Sequence, residues 1–131
     1  MINLKNSVLD LVESAKKQIN NLDPSDALKI HGDKTNLFID IRDIREIQKS
    51  GRILGAKHVP RCMLEFRIDP ESPYHKKFFN DDIRFIFYCA SDWRSALATQ
   101  TANHIGLLNT AHLSGGFNKW LELKGPIEEP Q

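Results

Sequence analysis

The chain has 131 residues, of which 40% are hydrophobic and 27% are charged, a composition typical of one soluble globular domain. A domain of this length can bury a core without disulfides or a structural metal. Its 18 basic and 17 acidic side chains leave a formal net charge of +1, so no overall field favours nucleic acid or an anionic membrane. We therefore expect any ligand preference to come from a local site.

The first part of the chain predicts an amphipathic helix. Apolar residues recur at helical spacing from Val8 to Leu22, and the segment 23–25 ends the pattern. We assign residues 1–22 to an N-terminal helical extension, whose apolar stripe must be covered by the rest of the domain or by a second subunit. A short second helix, capped by Ser25, is expected over residues 26–30.

Strand-like and helical segments alternate in the remainder. Strands are predicted at 37–41, 56–59, 83–89 and 111–113, and helices at 43–49, 63–67, 95–105 and around 120–123. The run 83–89 is the most apolar segment and predicts a central, buried strand. This alternation is typical of an open, mostly parallel α/β sheet with right-handed crossovers.

The two cysteines, Cys62 and Cys89, have no Cys-x-x-Cys spacing, which favours a reduced, cytoplasmic protein. The N-terminal segment lacks the apolar run of a signal peptide, and Asp10 and Glu13 argue against a transit peptide. No segment approaches the roughly 20 apolar residues that a membrane span needs. The sequence thus predicts a soluble cytoplasmic protein with no membrane or nucleic-acid partner.

Cys89 stands at the carboxyl end of the predicted central strand, where open α/β sheets place their functional crevice. Loop amides and the N-terminus of the following helix favour an anion there and lower thiol pKa values. A cysteine after an aromatic strand is often only a small core residue. Here the residues that follow Cys89 are polar, which favours a nucleophilic role for this cysteine over a core role. These polar residues are Ser91, Asp92, Arg94 and Ser95.

Four motifs occur in a fixed order along the chain. They are Asp40-Ile41-Arg42, the segment from Gly51 through Gly55 to Pro60-Arg61, the segment Cys89-Ala90-Ser91-Asp92-Trp93-Arg94-Ser95, and Gly115-Gly116-Phe117 followed by Trp120. Together they resemble the single-domain rhodaneses, which are thiosulfate-type sulfurtransferases. The resemblance covers about residues 25–127, which we assign to a rhodanese-like domain. It implies a five-stranded parallel sheet flanked by helices, to which the N-terminal helix is an addition.

The resemblance also implies a function. Cys89 would take a sulfane sulfur from a donor such as thiosulfate, become a persulfide and pass the sulfur to cyanide or to a thiol, including a protein thiol. The substrate-binding residues would be Ala90, Ser91, Asp92, Trp93, Arg94 and Ser95. Asp40 and Arg42 would support the site as an ion pair, or else form a solvated pair at a strand end. No metal or cofactor is implied, the five histidines show no metal-ligand spacing, and a monomer or homodimer is expected.

Two alternatives remain. A phosphatase branch of the same fold has five residues between Cys and Arg, whereas this loop has four, which favours sulfur transfer. Asp92 stands where the family commonly has Gly, so the loop could be strained, and an inward carboxylate would repel a thiolate. A catalytically weak module that binds a partner or senses reactive sulfur is therefore the second hypothesis. Cys62 could be a resolving thiol, although simple packing is preferred.

Overall fold

The computed structural model describes residues 1–130. In chain order the elements are α1 (Val8–Gln18), β1 (Asn21–Leu22), α2 (Pro24–Ile30), β2 (Asn36–Asp40), α3 (Ile44–Ser50), β3 (Arg52–Ile53), β4 (Lys57–His58), α4 (Leu64–Ile68), β5 (Arg84–Tyr88), α5 (Trp93–Ile105), β6 (Thr110–Leu113), α6 (Gly116–Glu122) and β7 (Ile127–Glu128). Short 3₁₀ helices occupy Arg61–Met63 and Lys77–Asn80. Within residues 1–130, no helix is long and apolar enough to cross a membrane.

A five-stranded parallel sheet forms the centre of the domain, in the order β1-β6-β5-β2-β4. This confirms the predicted α/β class and the central position of the most apolar strand. Alternate side chains of β5 enter two cores: Phe85 and Phe87 pack with α4 and α5 residues, and Ile86 and Tyr88 pack with α2 and α6 residues. Cys89 continues the first set, which places it on the α5 side of the sheet.

The structure corrects several predicted boundaries. The first helix is shorter than expected and ends at Gln18, and Leu22 lies in the edge strand β1. The cap of α2 is Asp23, whose carboxylate accepts the N–H of Ser25 at 2.9 Å, and Pro24 takes the first helical position. The antiparallel pair β3–β7 was not predicted. Strands of two residues are too short to show a hydrophobic period.

Helix α1 packs against α5. A capping box between Ser7 and Asp10 starts the helix. Val12 and Ala15, both buried, meet Ala96 of α5, while Val8, one turn nearer the start of α1, is 49% exposed. The buried part of this apolar stripe is therefore covered by the same chain, through the helix that follows the Cys89 loop.

Val12→Ala tests this contact. We expect it to lower the free energy of unfolding by about 1–2 kcal/mol, because two buried methyl groups are lost from a packed interface. Val8→Ala is the matched control, since the same change on the exposed part of the same helix should leave stability nearly unchanged. Urea denaturation of both variants provides the measurement, and equal midpoints would show that α1 contributes little to the fold.

Candidate active site

The sulfur of Cys89 lies beneath the N-terminus of α5. The residue is 1% exposed, and the backbone N–H of Ser95 donates to its Sγ at 3.4 Å. The Ser95 hydroxyl oxygen is 3.3 Å from the same sulfur. Because Ser95 belongs to the first turn of α5, its N–H has no acceptor within the helix. The amide and the helix terminus therefore both favour negative charge on the sulfur.

The start of α6 supports the Cys89 loop from behind. The N–H of Phe117 donates to the carbonyl of Cys89 at 2.8 Å, and the N–H of Asn118 donates to that of Ala90 at 3.0 Å. Gly116 has φ +58°, and a Cβ there would lie 2.5 Å from the carbonyl oxygens of Cys89 and Ser91. The close approach of the two backbones thus requires glycine.

Asp92 does not strain the loop, contrary to the concern raised by its replacement of the family glycine. Its φ is −127°, which lies outside the left-handed region. Its carboxylate accepts the N–H of Gly115 at 2.8 Å and lies 3.4 Å from Lys16 Nζ of α1. Partial burial works to raise the pKa of Asp92, but these two partners outweigh it and lower that pKa. The carboxylate is thus engaged by α1 and by the turn before α6.

Sequence reasoning missed His112. This side chain of β6 is fully buried, with Nδ1 2.8 Å from Ser95 Oγ and Nε2 3.4 Å from a carboxylate oxygen of Asp92. Burial lowers the pKa of His112 to about 4, against the opposing charge of Asp92. The signal in the sequence was the position of His112 in a predicted strand. In the structure, that strand pairs with β5 and sets His112 opposite Phe87, two residues before Cys89.

Arg94 binds a carboxylate of a neighbouring helix. Its guanidinium donates to both oxygens of Glu46 in α3, at 2.7 and 3.1 Å. This pairing raises the pKa of Arg94, and the charge of Cys89 adds to the shift. Ser91 in the loop and Trp93 at the start of α5 are exposed. The first turn of α5 therefore places Ser95 at the sulfur, and the Ser91 and Trp93 side chains remain open to solvent.

Asp40 and Arg42 form a buried ion pair, so the solvated alternative is wrong. Their side chains are 0% and 3% exposed, and Arg42 Nη2 lies 2.8 Å from Asp40 Oδ2. Burial works to lower the pKa of Arg42, but the bond to Asp40 raises it above its usual value. The guanidinium also donates to the carbonyl of Gly51 and stacks 4.3 Å from the Phe117 ring centroid. The pair thus reaches the Cys89 loop indirectly, through the start of α6.

Cys62 is free and exposed in the 3₁₀ helix Arg61–Met63. Among residues 1–130, no group of three or more His, Cys, Asp or Glu side chains has the geometry of a metal site. At Cys89, the sulfur is held by a helix terminus, a serine and a loop. Such a site suits nucleophilic chemistry at sulfur.

Comparison with known proteins identifies relatives of this architecture. The model of the Rhodanese-like domain family matches residues 23–123. A mouse protein named thiosulfate sulfurtransferase/rhodanese-like domain-containing protein 3 is 27% identical over 93 residues. That match covers 67% of this chain and 59% of the mouse protein, so the chain spans less than two thirds of its relative's length.

Two solved structures extend the comparison. A Rhodopseudomonas palustris protein of unknown function, described as a possible tyrosine phosphatase, is 42% identical, with a TM-score of 0.94 and 98% of both chains covered. The homodimeric polysulfide-sulfur transferase of Wolinella succinogenes is 29% identical, with a TM-score of 0.67 and coverage of 90% of this chain and 84% of the other. The first match covers nearly the entire chain.

Proposed function

Because the chain belongs to the rhodanese-like domain family, we propose that it is a sulfurtransferase in which Cys89 carries the transferred sulfur as a persulfide. The observation that supports this most directly is the position of the Cys89 sulfur at the first turn of α5, where Ser95 donates its N–H to it. A thiolate and a persulfide anion are both stabilised by such a donor and by the helix terminus.

The reaction consists of two displacements at sulfur. The Cys89 thiolate attacks the outer sulfur of thiosulfate, the S–S bond of the donor breaks, and sulfite leaves with the electron pair. A cyanide ion or an acceptor thiolate then attacks the terminal sulfur of the persulfide. The second S–S bond breaks, the acceptor keeps the sulfur, and the Cys89 thiolate is regenerated.

The loop residues have distinct proposed roles. Ala90 and Ser91 contribute backbone to the wall around the sulfur, and Ser95 binds the sulfur itself. Arg94 attracts the anionic donor, in competition with its bond to Glu46. Polysulfide is a second suitable donor, because it also offers a sulfane sulfur to a thiolate. A small thiol or a protein thiol is the proposed acceptor.

Phosphatase activity is the competing function, given the description of the R. palustris relative. Only four residues separate Cys89 from Arg94. A phosphate ester would require loop amides and a guanidinium around three equatorial oxygens. A persulfide needs room for one additional sulfur. The short loop therefore favours sulfur transfer.

Mass spectrometry of the intact protein tests the proposal. Brief exposure to thiosulfate should add one sulfur atom, which dithiothreitol should remove, because a persulfide is reducible. Cys89→Ser should abolish the addition. Cys62→Ser is the matched control and should retain it, since Cys62 is exposed and lies outside the loop.

The result is decisive in both directions. Sulfur found only on Cys62, or on neither cysteine with thiosulfate and with polysulfide, would overturn the proposal. Hydrolysis of a phosphotyrosine peptide that depends on Cys89, in a protein that takes up no sulfur, would establish the phosphatase instead.

A further inference from the structure

Two helices bring Arg94 and Glu46 to the sheet edge at which Cys89 lies. Strands β2 and β5 are parallel, with Asp40 opposite Tyr88, so the chain leaves both strands at the same edge. Helix α3 follows β2 and carries Glu46 in its first turn. Helix α5 follows the Cys89 loop and carries Arg94 in its first turn. The pair therefore lies beside the loop that holds the nucleophile.

Glu46 neutralises the charge of the Arg94 guanidinium. The two bonds between these side chains measure 2.7 and 3.1 Å, and both side chains still contact solvent. The backbone N–H of Asp43 also donates to the Glu46 carboxylate, at 3.3 Å, which holds it at the start of α3. The bond from Arg94 lowers the pKa of Glu46, so this carboxylate is charged near pH 7. Its charge therefore acts on any anion that approaches Arg94.

Two further cations near this loop are also paired with carboxylates. Lys16 of α1 lies 3.4 Å from Asp92 in the loop. Arg42, which supports the loop through the start of α6, lies 2.8 Å from Asp40. Burial lowers the pKa of His112 to about 4, so its imidazole is neutral near pH 7. Each of these cations is thus balanced by a carboxylate, and the pairs together contribute no net positive charge to the site.

This charge balance disfavours a second negative charge on the sulfur donor. Thiosulfate carries two charges at neutral pH, and its repulsion by Glu46 grows in proportion to that charge. A singly charged donor with the same reactive sulfur meets half of this repulsion. The methanethiosulfonate anion is such a donor, because it has a methyl group in place of one oxygen of thiosulfate. The two anions therefore form a matched pair of probes that differ by one charge.

We propose that Glu46 is a specificity-determining residue, whose charge makes the site select singly charged sulfane-sulfur donors over doubly charged donors such as thiosulfate. The inference deepens the proposed function and rests on it, since Cys89 must accept sulfur. With methanethiosulfonate, the Cys89 thiolate attacks the terminal sulfur, the S–S bond of the donor breaks, and methanesulfinate leaves with the electron pair. Cys89 keeps the transferred sulfur as a persulfide anion, so atoms and charge balance as they do with thiosulfate.

The rate of sulfur loading in Glu46→Gln tests the inference. The full chain carries Cys62→Ser, so that Cys89 is the single thiol, and single-turnover loading from each donor is followed by intact mass. Glutamine removes the charge but can still accept the Asp43 N–H, which preserves the start of α3. The second-order rate constant should rise about tenfold with thiosulfate and about threefold with methanethiosulfonate, because the charge removed repels the dianion twice as strongly. The ratio of the two rate constants should thus rise about threefold.

Glu128→Gln is the matched control. Glu128 also binds an arginine, Arg52, at 2.7 Å and is similarly exposed, but it belongs to the separate β3–β7 sheet. The substitution changes the net charge by the same amount and should leave both rate constants unchanged. Added salt provides a second measurement. The gain of Glu46→Gln with thiosulfate should shrink as NaCl rises from about 20 to about 500 mM, because salt screens exposed charges.

The experiment separates failure of this inference from failure of the proposed function. If both donors load sulfur on Cys89 and Glu46→Gln keeps the wild-type ratio of rate constants, sulfur transfer stands and selection by Glu46 is wrong. An equal rise of the ratio in Glu128→Gln would also overturn the inference, because net charge would then be responsible. If neither donor loads sulfur, the proposed function fails, and the inference fails with it.

Discussion

Arg42→Met should lower the free energy of unfolding by about 3–5 kcal/mol, because it leaves the Asp40 carboxylate buried without its cation. Asp40 is 0% exposed, and Arg42 supplies it with two side-chain N–H donors. The substitution also removes the guanidinium from the Phe117 ring. Urea denaturation at pH 7 measures the loss.

Arg45→Met is the matched control for this prediction. Arg45 also pairs with an aspartate two residues earlier, Asp43, but its side chain is 84% exposed. The same substitution there should leave stability nearly unchanged, because solvent screens the pair. A double replacement, Asp40→Leu with Arg42→Met, should recover part of the loss, since no charge then remains buried. Equal losses for Arg42→Met and Arg45→Met would contradict the argument.

The fold could be predicted largely from sequence, because its main signals are local. The apolar run around β5 and the alternation of strands with helices predict a parallel sheet before any contact is known. The elements that escaped prediction are held by long-range pairing. Two residues of β1 form a strand only because β6 lies beside them, with Asn21 opposite His112.

The candidate site was predicted less completely. The position of Cys89 and the Ser95 N–H follow from a strand, a loop and a helix in immediate succession. Side-chain partners do not, because they lie on other elements: Glu46 binds Arg94 from 48 residues away, and His112 reaches Ser95 from 17 residues away. Asp92 shows the same limit. From the sequence alone, its departure from the family pattern indicated only a disturbance of the Cys89 loop, because the partners of its carboxylate were not known.

Gly116→Ala should disturb both stability and sulfur loading. The added Cβ would lie 2.5 Å from two carbonyl oxygens of the Cys89 loop and 2.9 Å from the Ala90 carbonyl carbon. All three are backbone atoms, so no side chain can rotate away and the loop itself must move. Because φ is +58° at this position, alanine would also be strained by a left-handed backbone conformation. Together these effects should lower the free energy of unfolding by about 2–4 kcal/mol.

Gly55→Ala separates the backbone cost from the displacement of the loop. Gly55 has φ +84°, but a Cβ there meets nothing within 4 Å. This variant should lose about 1–2 kcal/mol of stability while loading sulfur from thiosulfate at the wild-type rate. Gly116→Ala should load sulfur about 100-fold more slowly, because a displacement near 1 Å removes the Ser95 N–H from its position at the sulfur. If both variants were destabilised and both retained wild-type loading, the support of the loop by α6 would have no role in the chemistry.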